Sequence, residues 1–309
     1  MKNFVENRMK YLLIPALIIV VGIVMYFVHG GFNFDVEFMG GIRMQVDLGK
    51  DVDNSEITDL VNNVLKENNV EGKVTVQKSG ESGNQVVIKT PPVEEEMKNK
   101  IFTSIKDKYS LEDSALMSVS SASASFGLEI QRKALLYTLL AIICILIYIA
   151  IRFEWRSAVM AVIALAINVL IMAAVYTITN IPLNTTFIAA MLTVVGYSIN
   201  NTIVIFDRIR ENMRGRKKNN TVSDVVNRSI GETMGRTINS TITTLITIVL
   251  IYILGVSAIK EFALPLIIGI IAGAYTSIFI ASTFWATWKE ADMKAKAEAA
   301  AERRKSSKK

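Results

Sequence analysis

Few residues in this chain carry the usual tools of catalysis. His29 is the only histidine and Cys144 the only cysteine. A single imidazole removes His-dependent catalysis and most transition-metal chemistry, and a single thiol removes an intrachain disulfide and any Cys-based zinc site. No Ser-His, Cys-His or phosphate-loop constellation is present, so the chain reads as something other than an enzyme, with no cofactor. The informative residues are amides, hydroxyls and one arginine set within apolar sequence. Tyr197-Ser198-Ile199-Asn200-Asn201-Thr202 lies in the middle of one apolar run and Asn168 well inside another. Arg236 opens a third, which carries Asn239, Ser240, Thr241, Thr243, Thr244 and Thr247.

At about 100° per residue, Arg236, Ser240, Thr243 and Thr247 share one helical face, and Ser198, Asn201 and Thr202 share another. Two readings of these stripes stand side by side. They hold helices together through hydrogen bonds worth about 0.6–2 kcal/mol each, or they line a polar path for an ion. Asn and Thr do not titrate and no carboxylate lies inside these runs, so the stripes by themselves cannot take up and release a proton. Either way they should turn toward each other or toward a partner, away from lipid. Arg236 needs an acidic partner from elsewhere or snorkels to the interface.

The elements that must position them are membrane helices. The chain has 309 residues, 51% hydrophobic and 20% charged, with a mean hydropathy of +0.37. These values exclude a disordered chain, a collagen-like chain and a disulfide scaffold. Charge and apolar sequence are segregated. A bilayer core of about 30 Å takes about 20 apolar residues as a helix. Six uncharged stretches meet or approach that length: Tyr11–Val28, Ala134–Ile151, Ser157–Ile178, Thr185–Phe206, Thr237–Ile259 and Phe262–Trp288. The first follows Lys2, Arg8 and Lys10 like a signal peptide. Its length, and the lack of a small-residue cleavage site before Phe32, make it an uncleaved anchor.

The Lys/Arg bias sets the expected orientation. Arg152 and Arg156 follow the second stretch, Arg208, Arg210, Arg214, Arg216, Lys217, Lys218 and Arg228 follow the fourth, and the tail from Lys289 is basic. Both termini are expected on the cytoplasmic side, with residues 32–133 external. The net charge of +6 is mostly this topological signal. The basic segments lack interleaved aromatics, so a sequence-specific nucleic-acid partner is not expected. The domain plan is residues 1–31 (N-terminus and first helix), 32–133 (external domain), 134–288 (helices two to six) and 289–309 (basic tail).

The external segment alternates short elements. Ile42–Leu48 predicts a strand, and Asn54 or Ser55 caps a helix with Ile57, Leu60, Val61, Val64 and Leu65 at helical spacing. Lys73–Lys78 and Gln85–Thr90 predict a hairpin around Ser79–Asn84. Pro91-Pro92 opens a second helix, Val93–Tyr109, with Glu94, Glu95 and Glu96 in its first turn, and Ala115–Ala124 is a last strand. The order β-α-β-β-α-β predicts a small α+β domain of split βαβ, ferredoxin-like type, suited to docking or binding. The fold class is thus an α-helical polytopic membrane protein with six transmembrane helices and this domain between the first two. In the sixth stretch, Gly269, Gly273, Ser277 and Ala281 form a small-residue stripe for close helix packing, and Pro265 is placed in the first turn. The tail is expected to be a frayed helix touching lipid headgroups or ribosomal RNA, or a solvated end.

Gly196-Tyr197-Ser198-Ile199-Asn200-Asn201-Thr202 and its continuation through Phe206-Asp207-Arg208-Ile209-Arg210-Glu211-Asn212 resemble the fourth-span signature of the SecF branch of the SecD/SecF family, in the resistance-nodulation-division superfamily. Phe38-Met39-Gly40-Gly41 resembles the family's D-F-x-G-G motif, with Glu37 in the Asp place. Arg152-Phe153-Glu154-Trp155-Arg156 resembles its second cytoplasmic turn, and Glu232–Ser240 with Thr243-Thr244 resembles the start of its fifth span. The resemblance covers nearly the whole chain apart from the tail. It implies a bacterial inner-membrane protein that pairs with a SecD-type subunit beside the SecYEG channel. That unit helps draw exported, unfolded polypeptides outward, using a proton or sodium gradient. Three positions bear on that expectation. Asn201 stands where the family commonly has an Asp implicated in proton transfer. Ile167-Asn168 stands where a His-Asp pair is common. Arg236 matches the family's functional arginine. The expected ion path runs through Asn168, Ser198, Asn200, Asn201, Arg236, Thr243 and Thr247, coupled if the partner supplies the carboxylate. The alternatives are a non-conducting scaffold that stabilises the translocase, and a small-molecule or lipid exporter of the same superfamily.

Overall fold

The computed structural model describes residues 3–50, 52–72, 74–79, 84–152, 154–216 and 220–306. Of the residues named above, Lys2, Lys73, the hairpin turn 80–83, Phe153, Lys217, Lys218 and the last three of the tail lie outside the described residues.

Apolar sequence without interior charge becomes helix. Helix α1 (Arg8–Val28) is followed by the four-residue α2 (Val36–Met39), then strand β1 (Gly41–Asp47), α3 (Asn54–Glu67), β2 (Thr75–Ser79), β3 (Gln85–Thr90), α4 (Glu95–Tyr109) and β4 (Leu116–Ala122). Helices α5 (Ala124–Arg152), α6 (Trp155–Thr179), α7 (Thr185–Arg214), α8 (Val222–Leu254) and α9 (Ser257–Thr276) follow, and a π-helical turn (Ser277–Ala281) leads into α10 (Ser282–Ser306). Among the described residues, six helical segments are long and apolar enough to cross a membrane, the last running from Ile259 to Ala300 through the π-turn.

The sheet has the order β2-β3-β1-β4, every neighbouring pair antiparallel. Strand alternation sends Ile42, Met44 and Val46 of β1 to one face, where Val86 and Ile88 of β3 join them. Ile57, Val61 and Leu65 of α3 and Ile101 and Ile105 of α4 cover that face and complete a core. The other face carries Arg43 and Lys89, which are cross-strand partners. The cap of α3 is Asp53 rather than Asn54 or Ser55, its carboxylate accepting from the Ser55 amide at 3.0 Å.

The Gly40-Gly41 pair makes the corner between α2 and the sheet. Both have positive φ, +80° and +138°, and a Cβ on Gly41 would lie 2.3 Å from the Thr90 carbonyl oxygen. Only glycine fits there. Phe38, just before the corner, is buried against Tyr176, Leu183 and Phe187.

Three further expectations are corrected. The fifth apolar stretch ends as a helix at Leu254, not Ile259: Gly255 leaves helical geometry, its amide bonded to the Ile251 carbonyl at 2.8 Å, and α9 starts at Ser257. The apolar run simply continues across this corner. Pro265 consequently lies inside α9, two turns beyond its start, rather than in a first turn. The start of the tail is docked, not frayed or solvated. Helix α10 continues to Ser306, Lys289 binds Glu154 at 2.7 Å and Arg156 binds Asp292 at 2.9 Å.

Candidate functional site

The polar residues of the apolar helices separate into a buried set and an exposed set. The buried set sits where α6, α7 and the π-turn meet. Asn168 of α6 is fully buried and donates from Nδ2 to Ser198 Oγ of α7 at 2.7 Å. The Thr202 and Ser277 hydroxyls lie 2.8 Å apart, so one donates to the other, and they stand 3.2 and 3.3 Å from the Ser198 carbonyl oxygen, which accepts from the hydroxyl whose proton is left over. Helix α9 comes this close because of its small-residue stripe. A Cβ on Gly273 would lie 1.8 Å from Ser198 Oγ and 2.9 Å from Asn168 Nδ2. A Cβ on Gly269 would lie 2.6 Å from both Val194 methyls and 2.7 Å from Met172 Sδ. The π-turn begins at Ser277, where the wider turn sits against this polar contact.

This set is not fully satisfied. Asn168 Oδ1, Asn201 Nδ2 and Thr237 Oγ1 are buried without partners among the described residues. Asn201 itself is 2% exposed. Orphaned buried polar atoms of this kind suit a partner that comes and goes, such as water or an ion.

The exposed set lies on the adjoining surface of α7 and α8. Asn200, Arg236, Asn239, Ser240, Thr243 and Thr247 are all exposed. Thr243 and Thr247 satisfy their hydroxyls on carbonyls of their own helix, Ser240 and Thr243. Arg236 makes no hydrogen bond or ion pair with a described residue. Tyr197 crosses between the helices, its hydroxyl 3.1 Å from the Ser240 carbonyl and 3.2 Å from Thr244 Oγ1.

The two stripes read from the sequence therefore do not meet within the chain. Ser198, Asn201 and Thr202 turn into the bundle, while Arg236, Ser240, Thr243 and Thr247 turn out of it. The α8 hydroxyls that do turn inward are those of Ser229, Thr233, Thr237 and Thr241. Their spacing of four was a visible signal, masked by hydroxyls all around the helix. Ser277, read from the sequence as part of the packing stripe alone, also joins the polar contact through its hydroxyl. Among the described residues no group of three or more His, Cys, Asp or Glu could hold a metal.

A second feature joins the sheet domain to the helices. Glu37 accepts from the amide and hydroxyl of Thr185 at the start of α7, at 2.8 and 2.5 Å. Asp35 caps α2 and binds Lys89 of β3 at 2.9 Å. Glu261 of α9 binds Arg43 of β1 at 2.6 Å and accepts from Asn184 at 2.8 Å.

The family profile described as "Protein export membrane protein SecD/SecF, C-terminal" matches residues 101–291. The chain belongs to the SecD/SecF family. A SecF subunit of protein translocase from Alicyclobacillus acidocaldarius is 35% identical over 290 residues, covering 92% of each chain. The SecDF subunit of Bacillus subtilis is 34% identical over 295 residues, 94% of this chain and 39% of its own length. The crystal structure of the translocon-associated SecDF from Thermus thermophilus superposes with a TM-score of 0.82 at 28% identity, over 93% of this chain and 38% of that one. This SecD/SecF-family chain thus spans about two fifths of the SecDF relatives and nearly all of the SecF relative. It is a multi-pass membrane protein, and its relatives are named as translocase subunits.

Proposed function

We propose that this chain is the SecF-type half of a SecD–SecF unit that assists preprotein translocation beside the SecYEG channel in a bacterial inner membrane. Both termini are cytoplasmic. Residues 32–133 form an external domain of split βαβ, ferredoxin-like type, which meets the emerging unfolded polypeptide. Its role is non-enzymatic. The observation that carries this reading is the exposed polar face of α7 and α8, with Arg236 unpaired on it among the described residues. A charged side chain facing lipid at depth costs about 2.5–3.5 kcal/mol or more. A second polypeptide with a carboxylate opposite Arg236 removes that cost and supplies the titrating group that Asn201 and Asn168 lack. A proton or sodium gradient then couples through the partner. The length relation to SecDF supports it, since those chains carry the remaining three fifths in the same polypeptide.

Cysteine crosslinking tests the pairing. In a Cys144→Ser background, Thr243→Cys should form a disulfide with a cysteine placed in the fourth span of the co-expressed SecD-type protein. Val249→Cys, on the apolar continuation of α8, should not. Equal crosslinking of the two, or none from Thr243→Cys, overturns the assignment.

The buried amides favour a second reading, a non-conducting scaffold. Asn168 and Asn201, which stand where the family resemblance implies titrating residues, are sealed inside the bundle. Export into inverted vesicles at saturating ATP would then be insensitive to an uncoupler.

A further inference from the structure

The sheet ends at β4, and among the described residues no strand pairs with its outer side. Edges that must stay unpaired usually carry a lysine, a proline or an inward-pointing charge. Strand β4, Leu116-Met117-Ser118-Val119-Ser120-Ser121-Ala122, carries none of these, and its five middle residues are exposed. Its register against β1 shifts only at Gln45–Val46, so Ser118 to Ala122 present a regular edge.

Both faces of the sheet are hollow beside this edge. On the helix-covered face α4 stops short of β4, and Phe102, Leu116 and Val119 wall a cavity of about 280 Å³ between them. On the opposite face Ser120 and Ala122 border a second cavity of about 270 Å³, with Val36 and Ile130 on its other side. Side chains of a strand alternate between faces, so one added strand would fill both. Main-chain hydrogen bonds along an edge, with alternate side chains in pockets, are the terms on which a sheet takes up an extended peptide.

Charge complementarity narrows the occupant. In the first cavity Glu95 and Lys98 bind each other. In the second, Glu37 is held by Thr185 and Arg43 by Glu261. A charged segment would lose its hydration there and find its counter-ions already committed. A second copy of this chain does not fit either. Strand β4 runs almost directly into the membrane-crossing helix α5, so two copies in one membrane present this edge with the same polarity. Every pair in the sheet is antiparallel.

We propose that the β4 edge binds an extended, uncharged segment of unfolded polypeptide as a fifth strand. This rests on the reading that the sheet domain meets the emerging chain, and it names the grip: backbone groups, which every sequence offers. The test titrates the full chain in detergent with a fluorescein-labelled peptide, Ser-Val-Thr-Val-Ser-Val-Thr, followed by anisotropy and by amide hydrogen exchange. Binding should slow exchange in β4 and not in β2. Two further peptides carry N-methyl groups at the odd or at the even positions. An added strand uses one of its edges only, so one methylated peptide should bind about tenfold more weakly and the other like the parent. Val119→Lys, at an exposed position, should weaken the parent peptide by a similar factor and keep the melting temperature. Equal affinity of the two methylated peptides overturns the site, as does undiminished binding by folded Val119→Lys. Protection of β4 by a co-purified SecD-type protein, with the peptide excluded, would assign the edge to that subunit and overturn the proposal. None of the peptide readouts needs the partner or the gradient. Equal affinities with intact Thr243→Cys crosslinking therefore sink the edge alone, and selective peptide binding without that crosslinking sinks the pairing and keeps the edge.

Discussion

Arg43 and Lys89 stand directly opposite each other across the β1–β3 pair, and each holds a carboxylate from outside the sheet. Like charges in that position normally repel. Here Asp35 neutralises Lys89 and Glu261 neutralises Arg43, so the repulsive pair becomes the means of fastening the sheet to the helices. Asp35 and Lys89 are both buried, at 2% and 8% exposure. Removing one partner leaves a buried charge alone. Asp35→Ala should destabilise the protein by about 3–5 kcal/mol, whereas Asp35→Ala combined with Lys89→Met should recover much of that loss. Denaturant unfolding of the full chain in detergent checks both, and additive losses in the double variant would show that the pair does not act as a unit.

The glycines of α9 make a sharper packing prediction. Gly273→Ala puts a methyl group into the Asn168–Ser198 contact, and Gly269→Ala puts one onto Val194 and Met172. Overpacking of this kind costs about 1–3 kcal/mol. Gly196 and Gly235 have open space where a Cβ would stand. Their Ala variants should melt within a degree or so of the unmodified chain or slightly above it, since alanine favours helix. Thermal unfolding of the four variants should rank Gly273 and Gly269 apart from Gly196 and Gly235.

Asn201 tests the buried amides. Its Nδ2 has no partner among the described residues, so replacing the amide by a carboxyl removes no donor bond seen there. Asn201→Asp should accumulate as folded protein, with a stability cost no greater than about 2.5–3.5 kcal/mol at neutral pH. Asn168→Asp removes the donor to Ser198 and should be the worse tolerated of the two. Yield of monodisperse protein and melting temperature measure the ranking.

Much of this architecture could be read in advance, for reasons visible in single residues. Ile42, Met44 and Val46 alternate with Arg43 and Gln45, which marks a strand with one buried face, and Ile57, Val61 and Leu65 repeat at four, which marks a helix with one. The uncharged runs marked the spans because interior charge is excluded there. The break after Leu254 was not legible, because Gly255 and Val256 continue the apolar run. Which α8 face meets α7 was not legible either. Thr237 and Thr241 point inward and Thr243 and Thr247 outward, yet all are hydroxyls on one helix. The Arg43–Glu261 link joins residues 218 apart in sequence, and nothing local to either names the other.

The sheet domain should lose stability in acid through Asp53. Its hydrogen bond from the Ser55 amide holds the carboxyl below the ordinary carboxylate range of about 3.9. A depressed folded pKa contributes stability above the unfolded pKa, and that contribution is lost as pH falls through the folded value. The loss therefore begins below about pH 4. Glu56 behaves alike, held down by Lys108 at 2.9 Å. Asp53→Asn keeps an acceptor at the helix start but cannot titrate. Its melting temperature should fall less steeply than that of the unmodified chain between about pH 5 and 3, and parallel profiles would remove Asp53 from the account.

Arg236 separates folding from function most cleanly. The side chain is exposed and unpaired among the described residues, so its own chain gains little from it. Alone at a lipid-facing position the charge costs about 2.5–3.5 kcal/mol rather than stabilising the fold. Arg236→Ala should therefore fold and, without the partner, melt no lower than the unmodified chain. In the paired complex the guanidinium would face a carboxylate away from water, and truncation there costs about 2–5 kcal/mol through the charge left behind. Arg236→Ala should consequently weaken recovery of the SecD-type partner and slow preprotein export, while Arg236→Lys restores the pairing more than the export, since an ammonium keeps the charge but not the planar fork. Pull-down yield and export rate in inverted vesicles read the two effects separately. Normal partner recovery with normal export in Arg236→Ala would leave the exposed face of α8 without the role assigned to it.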